Sequence, residues 1–172
     1  MERAAVPSMV REERLRQWIE DYSGAVMKTC LACLQDRGQA EDAVQDTFFK
    51  AWKSMESYER RDIQNDKAWL MRIAINICRD YRRSAWFRHV DGRRSLDSLP
   101  EIAVPPEDHT LAMDICRLKD KYKRAVLLYY YQGLTLQETA EALGIPQTTV
   151  FRQLKKAREL LKDSLRGGDA DA

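Results

Sequence analysis

Few side chains among these 172 residues could make or break bonds. His89 and His109 are the only histidines, and neither stands beside a serine or cysteine in a context resembling a nucleophile site. The four cysteines are Cys30, Cys33, Cys78 and Cys116. Cys30 and Cys33 form a CxxC pair, a spacing that redox or zinc chemistry can use. Zinc needs two further ligands, and no second CxxC or nearby histidine offers them. Cys30 also continues an apolar stripe through Tyr22, Val26 and Leu34, which favours plain helix packing. The seven glycines form no phosphate-cradling loop. Neighbouring carboxylates such as Glu41 and Asp42 diverge on a helix. No catalytic, metal or cofactor site can be assembled, and no small-molecule substrate is implied. The chemistry on offer is binding chemistry, carried by cations, hydroxyls and amides at helical spacing.

The clearest such array lies in Leu134 to Leu161, LTLQETAEALGIPQTTVFRQLKKARELL. Thr135 and Glu138 have capping-box spacing, so hydroxyl and carboxylate can satisfy backbone N–H groups where a first helix starts. Leu136, Ala140 and Leu143 supply its inward stripe, and Gly144 permits the helix stop. Pro146 suits the first turn of a second helix. There Val150, Leu154, Ala157 and Leu161 share one face by the 3.6-residue repeat. The opposite face carries Thr148, Arg152, Lys155 and Glu159, flanked by Thr149, Phe151 and Lys156. A helical hairpin with a solvated face would show the same periodicity. Cap, turn and basic face together favour a helix-turn-helix.

The preceding chain reads as helices that would carry further surfaces. From about Arg11 to Leu34, the residues Leu15, Trp18, Ile19, Tyr22, Val26, Cys30 and Leu34 recur at three or four. Asp36 to Gly38 breaks the pattern. A second helix, from about Gln39 to Met55, turns Ala40, Val44, Thr47, Phe48, Ala51 and Trp52 inward. Its early turns carry Glu41, Asp42 and Asp46, which suits the positive end of a helix dipole. Glu56 to Asn65 reads as a loop. A third helix, from about Asp66 to Ser84, buries Leu70, Ile73, Ala74, Ile77 and Tyr81. Arg72, Asn76, Arg79 and Arg83 line its other side with Trp69 at the edge. Cations beside an aromatic suit single-stranded nucleic acid, although a solvated helix face gives the same stripe.

Composition then changes abruptly. Residues 79–94 hold six arginines, whereas residues 95–109 hold Asp97, Glu101, Glu107 and Asp108, three prolines and no lysine or arginine. That is an acidic linker between two small helical domains. A further helix, about Leu111 to Tyr131, leads through Gly133 into the helix-turn-helix, and the tail after Leu165 is expected to be disordered. The expected class is all-α, two helical domains joined by a flexible acidic linker. With 44% hydrophobic and 33% charged residues the chain suits helix-rich globular structure, and its net charge of +2 says little about partners. No apolar run of about 18 residues and no signal peptide is visible, so a cytoplasmic protein with reduced cysteines and no direct membrane insertion is expected.

Three segments, AEDAVQDTFFKAW from Ala40 to Trp52, AWLMRIAINICRDYRR from Ala68 to Arg83, and the helix-turn-helix, occur in an order that resembles the extracytoplasmic-function (ECF) sigma factors of bacterial RNA polymerase. The resemblance implies an N-terminal sigma domain at residues 11–86, a linker at 87–109, a −35-reading domain at 110–166 and a tail at 167–172. It implies core RNA polymerase, promoter DNA and an anti-sigma factor as partners, and no enzymatic activity. Glu41, Asp42, Gln45 and Asp46 would meet the clamp helices of the polymerase. Trp69, Arg72, Asn76, Arg79 and Arg83 would recognise and melt the −10 element, with a flipped base held by the loop from about Arg60 to Asp66. Thr148, Thr149, Arg152, Lys155 and Lys156 would read the −35 element in the major groove. A dimeric helix-turn-helix repressor would leave the third-helix stripe and the linker without a purpose, and a recombinase would need catalytic residues the chain lacks.

Overall fold

The computed structural model describes residues 7–61, 65–88 and 109–168. Among these residues seven helices follow in order: α1 Ser8–Leu34, α2 Arg37–Glu59, α3 Asp66–Arg88, α4 His109–Arg117, α5 Asp120–Val126, α6 Leu136–Leu143 and α7 Gln147–Gly168. Leu127–Tyr131 continues α5 as a wider π-turn.

Helices α1 to α3 form the N-terminal domain. Gln35 ends α1 in the left-handed region at φ 54°, and the Asp36 side chain caps α2 by accepting the Gln39 N–H at 2.8 Å. The break therefore takes two residues, and Gly38 falls inside α2. Val26, Cys30, Ala40, Ala43, Ala51, Met55, Leu70 and Ala74 are all fully buried between the three helices. Each larger side chain among them stabilises the domain by about 1.5–3 kcal/mol. Ile19, expected inside, is exposed.

One boundary moves for a packing reason. Helix α2 continues through Glu59, where a loop is expected, because buried Tyr58 stacks on Trp69 with ring centroids 4.1 Å apart. Trp18 closes this cluster, 5.4 Å from Trp69 and 5.9 Å from Tyr58. The stretch 111–131 is not one helix. Lys119 adopts an extended cap conformation (ψ 146°), so α4 and α5 meet at an angle that sequence periodicity does not register. Helix α7 also runs through Gly168, into the stretch expected to be a disordered tail.

In the C-terminal domain Ile115, Val126, Leu128, Leu134, Ala140, Val150, Leu154 and Ala157 are buried. The two domains share one continuous core. Helix α3 buries Met71, Ile75 and Cys78 beyond its expected stripe, since it packs on α1 and α2 and also meets α6. The acidic linker at 89–108 lies outside the described residues.

Candidate nucleic-acid interface

The helix-turn-helix is built as its residues require. Thr135 Oγ1 accepts the Glu138 N–H at 3.1 Å while Glu138 Oε2 accepts the Thr135 N–H at 2.8 Å, which completes the capping box. Gly144 ends α6 at φ 66°, a conformation that strains any residue with a Cβ. Pro146 stands one position before α7, and its carbonyl accepts the Thr149 and Val150 N–H groups. With Val150, Leu154 and Ala157 buried, α7 exposes Thr148, Arg152, Lys155 and Lys156, whereas Thr149 is half-buried. Arg152 reaches Thr149 Oγ1 only at 3.5 Å, and Lys156 stands 3.8 Å from Glu159. These weak local contacts leave the cations available to an outside anion.

The second array follows α3. Trp69, Arg72, Asn76, Arg79 and Arg83 recur at three or four and form one stripe, with the arginines exposed and Trp69 and Asn76 half-buried. Trp69 has one ring face committed to Tyr58, so it is less free to stack on a base than its position in the stripe implies. Asn65 Oδ1 caps α3 at the Ala68 N–H, 3.0 Å away. Residues 62–64 of the expected base-holding loop lie outside the described residues.

The stripe lies along the seam between the domains. Near its start a cavity of ≈ 370 Å³ sets Arg61, Trp69 and Arg72 across from Thr135, Glu138 and Glu141 of α6. The Asn65 side-chain amide donates to Glu138 across that gap. Further along, Arg82 pairs with Asp120 of α5. On the far side Gln35 donates to the Cys116 carbonyl at 3.0 Å, and Gln132 donates to Thr29 Oγ1 at 3.0 Å and to the Ala25 carbonyl at 3.2 Å. In this closed arrangement carboxylates of α6 share a cavity with Arg72, which is itself exposed.

The third surface is on α2, where Glu41, Asp42, Gln45 and Asp46 are all exposed. Glu41 pairs with Arg37 at 3.0 Å. Asp46 accepts the Tyr81 hydroxyl at 2.6 Å, so it also ties α2 to α3. That hydrogen bond, with burial and the carboxylate charge, pushes the Tyr81 phenol up to about 12. Phe49 stands on the same face, 59% exposed, with Lys53 Nζ 4.4 Å from its ring. Sequence reasoning did not single it out. The available signal was its spacing of four from Gln45 and seven from Asp42.

Cys30, Cys33, Cys78 and Cys116 are free and buried. Hydrogen bonding to Cys78, then burial, holds the Cys33 thiol well above its ordinary value. No cluster that could hold a metal ion occurs among the described residues.

Two small helical domains, one with a helix-turn-helix and the other with a cationic helical stripe, define a DNA-binding protein of the all-α class. Sigma-70 region 2 matches residues 18–88 and Sigma-70, region 4 matches residues 115–161. The chain is 31% identical over 157 residues to the ECF RNA polymerase sigma factor SigL of Mycobacterium tuberculosis, covering 88% of each chain. It is 28% identical over 164 residues to SigW of Bacillus subtilis, covering 86% of this chain and 87% of that one. It therefore belongs to the ECF sigma factors, subunits that direct RNA polymerase to promoters. Its fold is that of the sigma factor RpoE solved with the anti-sigma factor NepR from Bartonella quintana, at TM-score 0.74 and 22% identity over 90% of this chain and 98% of that one. It also matches CnrH solved with the cytosolic domain of CnrY, at TM-score 0.66 and 24% identity over 94% and 91%.

Proposed function

We propose that this sigma factor divides its work among the three surfaces just described. Glu41, Asp42, Gln45 and Asp46, with Phe49 among them, meet a basic groove of the polymerase, where carboxylates steer and the aromatic supplies desolvated contact area. Arg72, Asn76, Arg79 and Arg83 engage the −10 element during melting, with Trp69 as a support for the stripe. Thr148, Thr149, Arg152, Lys155 and Lys156 read the −35 element. The observation that carries this reading is the polarity of α7, which buries Val150, Leu154 and Ala157 while exposing Arg152, Lys155 and Lys156. That polarity matches a recognition helix whose exposed side enters the major groove.

The chain acts through binding alone, with no reaction of its own, and works in the cytoplasm beside the polymerase. No described helix is long and apolar enough to cross a membrane. Closure of the two domains over the α3 stripe requires that they part before the −10 element is engaged. An anti-sigma protein that favours the closed form would keep the factor silent, and RpoE was solved with an anti-sigma factor.

The decisive experiment adds the purified chain to sigma-free core polymerase and maps transcripts from genomic DNA. Selective initiation supports the reading, and absence of both polymerase binding and selective initiation overturns it. In the same assay Asn76→Ala should retain polymerase binding while permanganate reactivity of the −10 thymines falls. Normal melting would remove Asn76 from that role.

A further inference from the structure

Beyond Arg72 the seam holds a second cavity, of ≈ 580 Å³, between the later turns of α3 and the start of α5. Arg79, Arg82 and Arg83 line it from α3 and Arg124 from α5, and Asp120 is the one carboxylate lining it among the described residues. Asp120 is already shared. It pairs with Arg82, and its Oδ1 is 4.0 Å from Nζ of Lys123, a residue only 4% exposed. A separation of 4.0 Å is beyond hydrogen-bond reach. Among the described residues the cavity thus sets Asp120 against four arginines drawn from both domains, with Lys123 beside it.

Burial is the largest cause that holds the Lys123 ammonium and the Arg124 guanidinium below their ordinary values; Cys33 opposes it, and the like charges of Arg82 on Lys123 and of Arg79 on Arg124 add to it. Like charges repel more strongly where protein replaces water, so the closed seam is opposed by its own cations unless an anion joins them. Arginine forks bind phosphate oxygens two at a time, and the volume falls in the range of small-ligand sites.

We propose that this cavity is an oxyanion site that takes a multiply charged phosphate ligand, and that the ligand stabilises the closed arrangement of the two domains. A phosphate chain neutralises the cationic surplus and bridges Arg79, Arg82 and Arg83 to Arg124. It also competes with DNA, because Arg79 and Arg83 belong to the stripe assigned to the −10 element. The site stands independently of that assignment, and its test uses neither DNA nor polymerase.

The intact chain is titrated with inorganic tripolyphosphate by calorimetry at constant ionic strength, with sulfate as control. Modification of Cys33 and Cys78, which line the same cavity, by a thiol reagent gives a second readout. Saturable one-site binding, slower thiol modification and about tenfold or greater weakening in Arg124→Gln are expected. Arg83→Gln, at an exposed position, should also weaken binding and guards against a folding defect in the first variant. Binding matched by sulfate, or unchanged in both variants, overturns the proposal. A chain with Asp97, Glu101, Glu107 and Asp108 changed to amides tests the other source of anionic groups. Tripolyphosphate binding confined to that variant would give the cavity to the chain's own carboxylates and overturn its assignment to a free ligand.

Discussion

Replacing Gln132 with alanine should open the seam. Its side chain is 8% exposed, and Nε2 donates to Thr29 Oγ1 at 3.0 Å and to the Ala25 carbonyl at 3.2 Å, joining the segment after α5 to α1. Gln132 directly follows the π-turn, and its N–H reaches five residues back to the Leu127 carbonyl at 2.9 Å. Each neutral hydrogen bond contributes about 0.5–1.5 kcal/mol, so the pair contributes about 1–3 kcal/mol. The Ala25 carbonyl keeps its bond from Thr29 Oγ1 at 3.0 Å, so the deletion strands no acceptor there and should fall within that range. If the energy resides in domain closure, the open population rises about 5- to 150-fold. Cys33 and Cys78 report that population, being 6% and 2% exposed in the closed form and lining the seam cavity. Their native-state modification rate by a thiol reagent should rise by the same factor when opening is a fast pre-equilibrium. Open-complex formation with core polymerase should accelerate in parallel. A lowered melting midpoint with an unchanged modification rate would place the two hydrogen bonds in global folding and refute the reasoning.

Three further outcomes follow from individual side chains. Phe49→Ala should leave folding stability within about 0.5 kcal/mol, because the ring is 59% exposed, yet weaken core-polymerase binding by about 1–3 kcal/mol in a competition titration; unchanged affinity would remove Phe49 from the interface. Arg152→Ala should weaken binding to the −35 element by about 1–3 kcal/mol and erase discrimination at one position, whereas uniform weakening on all sequences would make it a phosphate contact. Asp46→Asn should lower the Tyr81 phenol from about 12 toward its ordinary value of 10.0, since the lost carboxylate had stabilised the protonated hydroxyl. Ultraviolet titration of the tyrosines checks this, and an unmoved transition would show that burial rather than Asp46 sets the value.

Legibility in the sequence divided along physical lines. Features fixed by near neighbours were readable. The capping box at Thr135 and Glu138, the left-handed Gly144 and the buried stripe from Val150 to Ala157 each depend on residues within a few turns. The α3 stripe from Trp69 to Arg83 was readable for the same reason, because spacing alone puts its members on one face. Features set by distant partners were hidden. Tyr58 extends α2 past the expected loop because Trp69 and Trp18 stack around it. Ile19 repeats at the right interval, yet no neighbour covers it. Nothing in Arg117 to Asp120 advertises a helix break, and the turn there is stabilised by a salt bridge from Asp120 to Arg82, a residue of the other domain.

The most consequential hidden feature is the seam itself. Hydrophobic periodicity predicts that Met71, Ile75 and Gln132 could be buried only if a second partner for α3 and α1 is assumed, and one-face patterning supplies no such partner. Charge patterning hides it as well. The arginines at 72, 79 and 83 read as a surface for nucleic acid, and Glu138 and Glu141 read as parts of a separate helix-turn-helix. Brought together, carboxylates of α6 line one cavity with Arg72, and Asp120 pairs with Arg82. The polar bonds across the seam supply only a few kcal/mol in total, because neutral and partly exposed pairs are individually weak. The stripe's arginines stay exposed in the closed arrangement, so the seam acts on them by setting carboxylates beside them rather than by covering them.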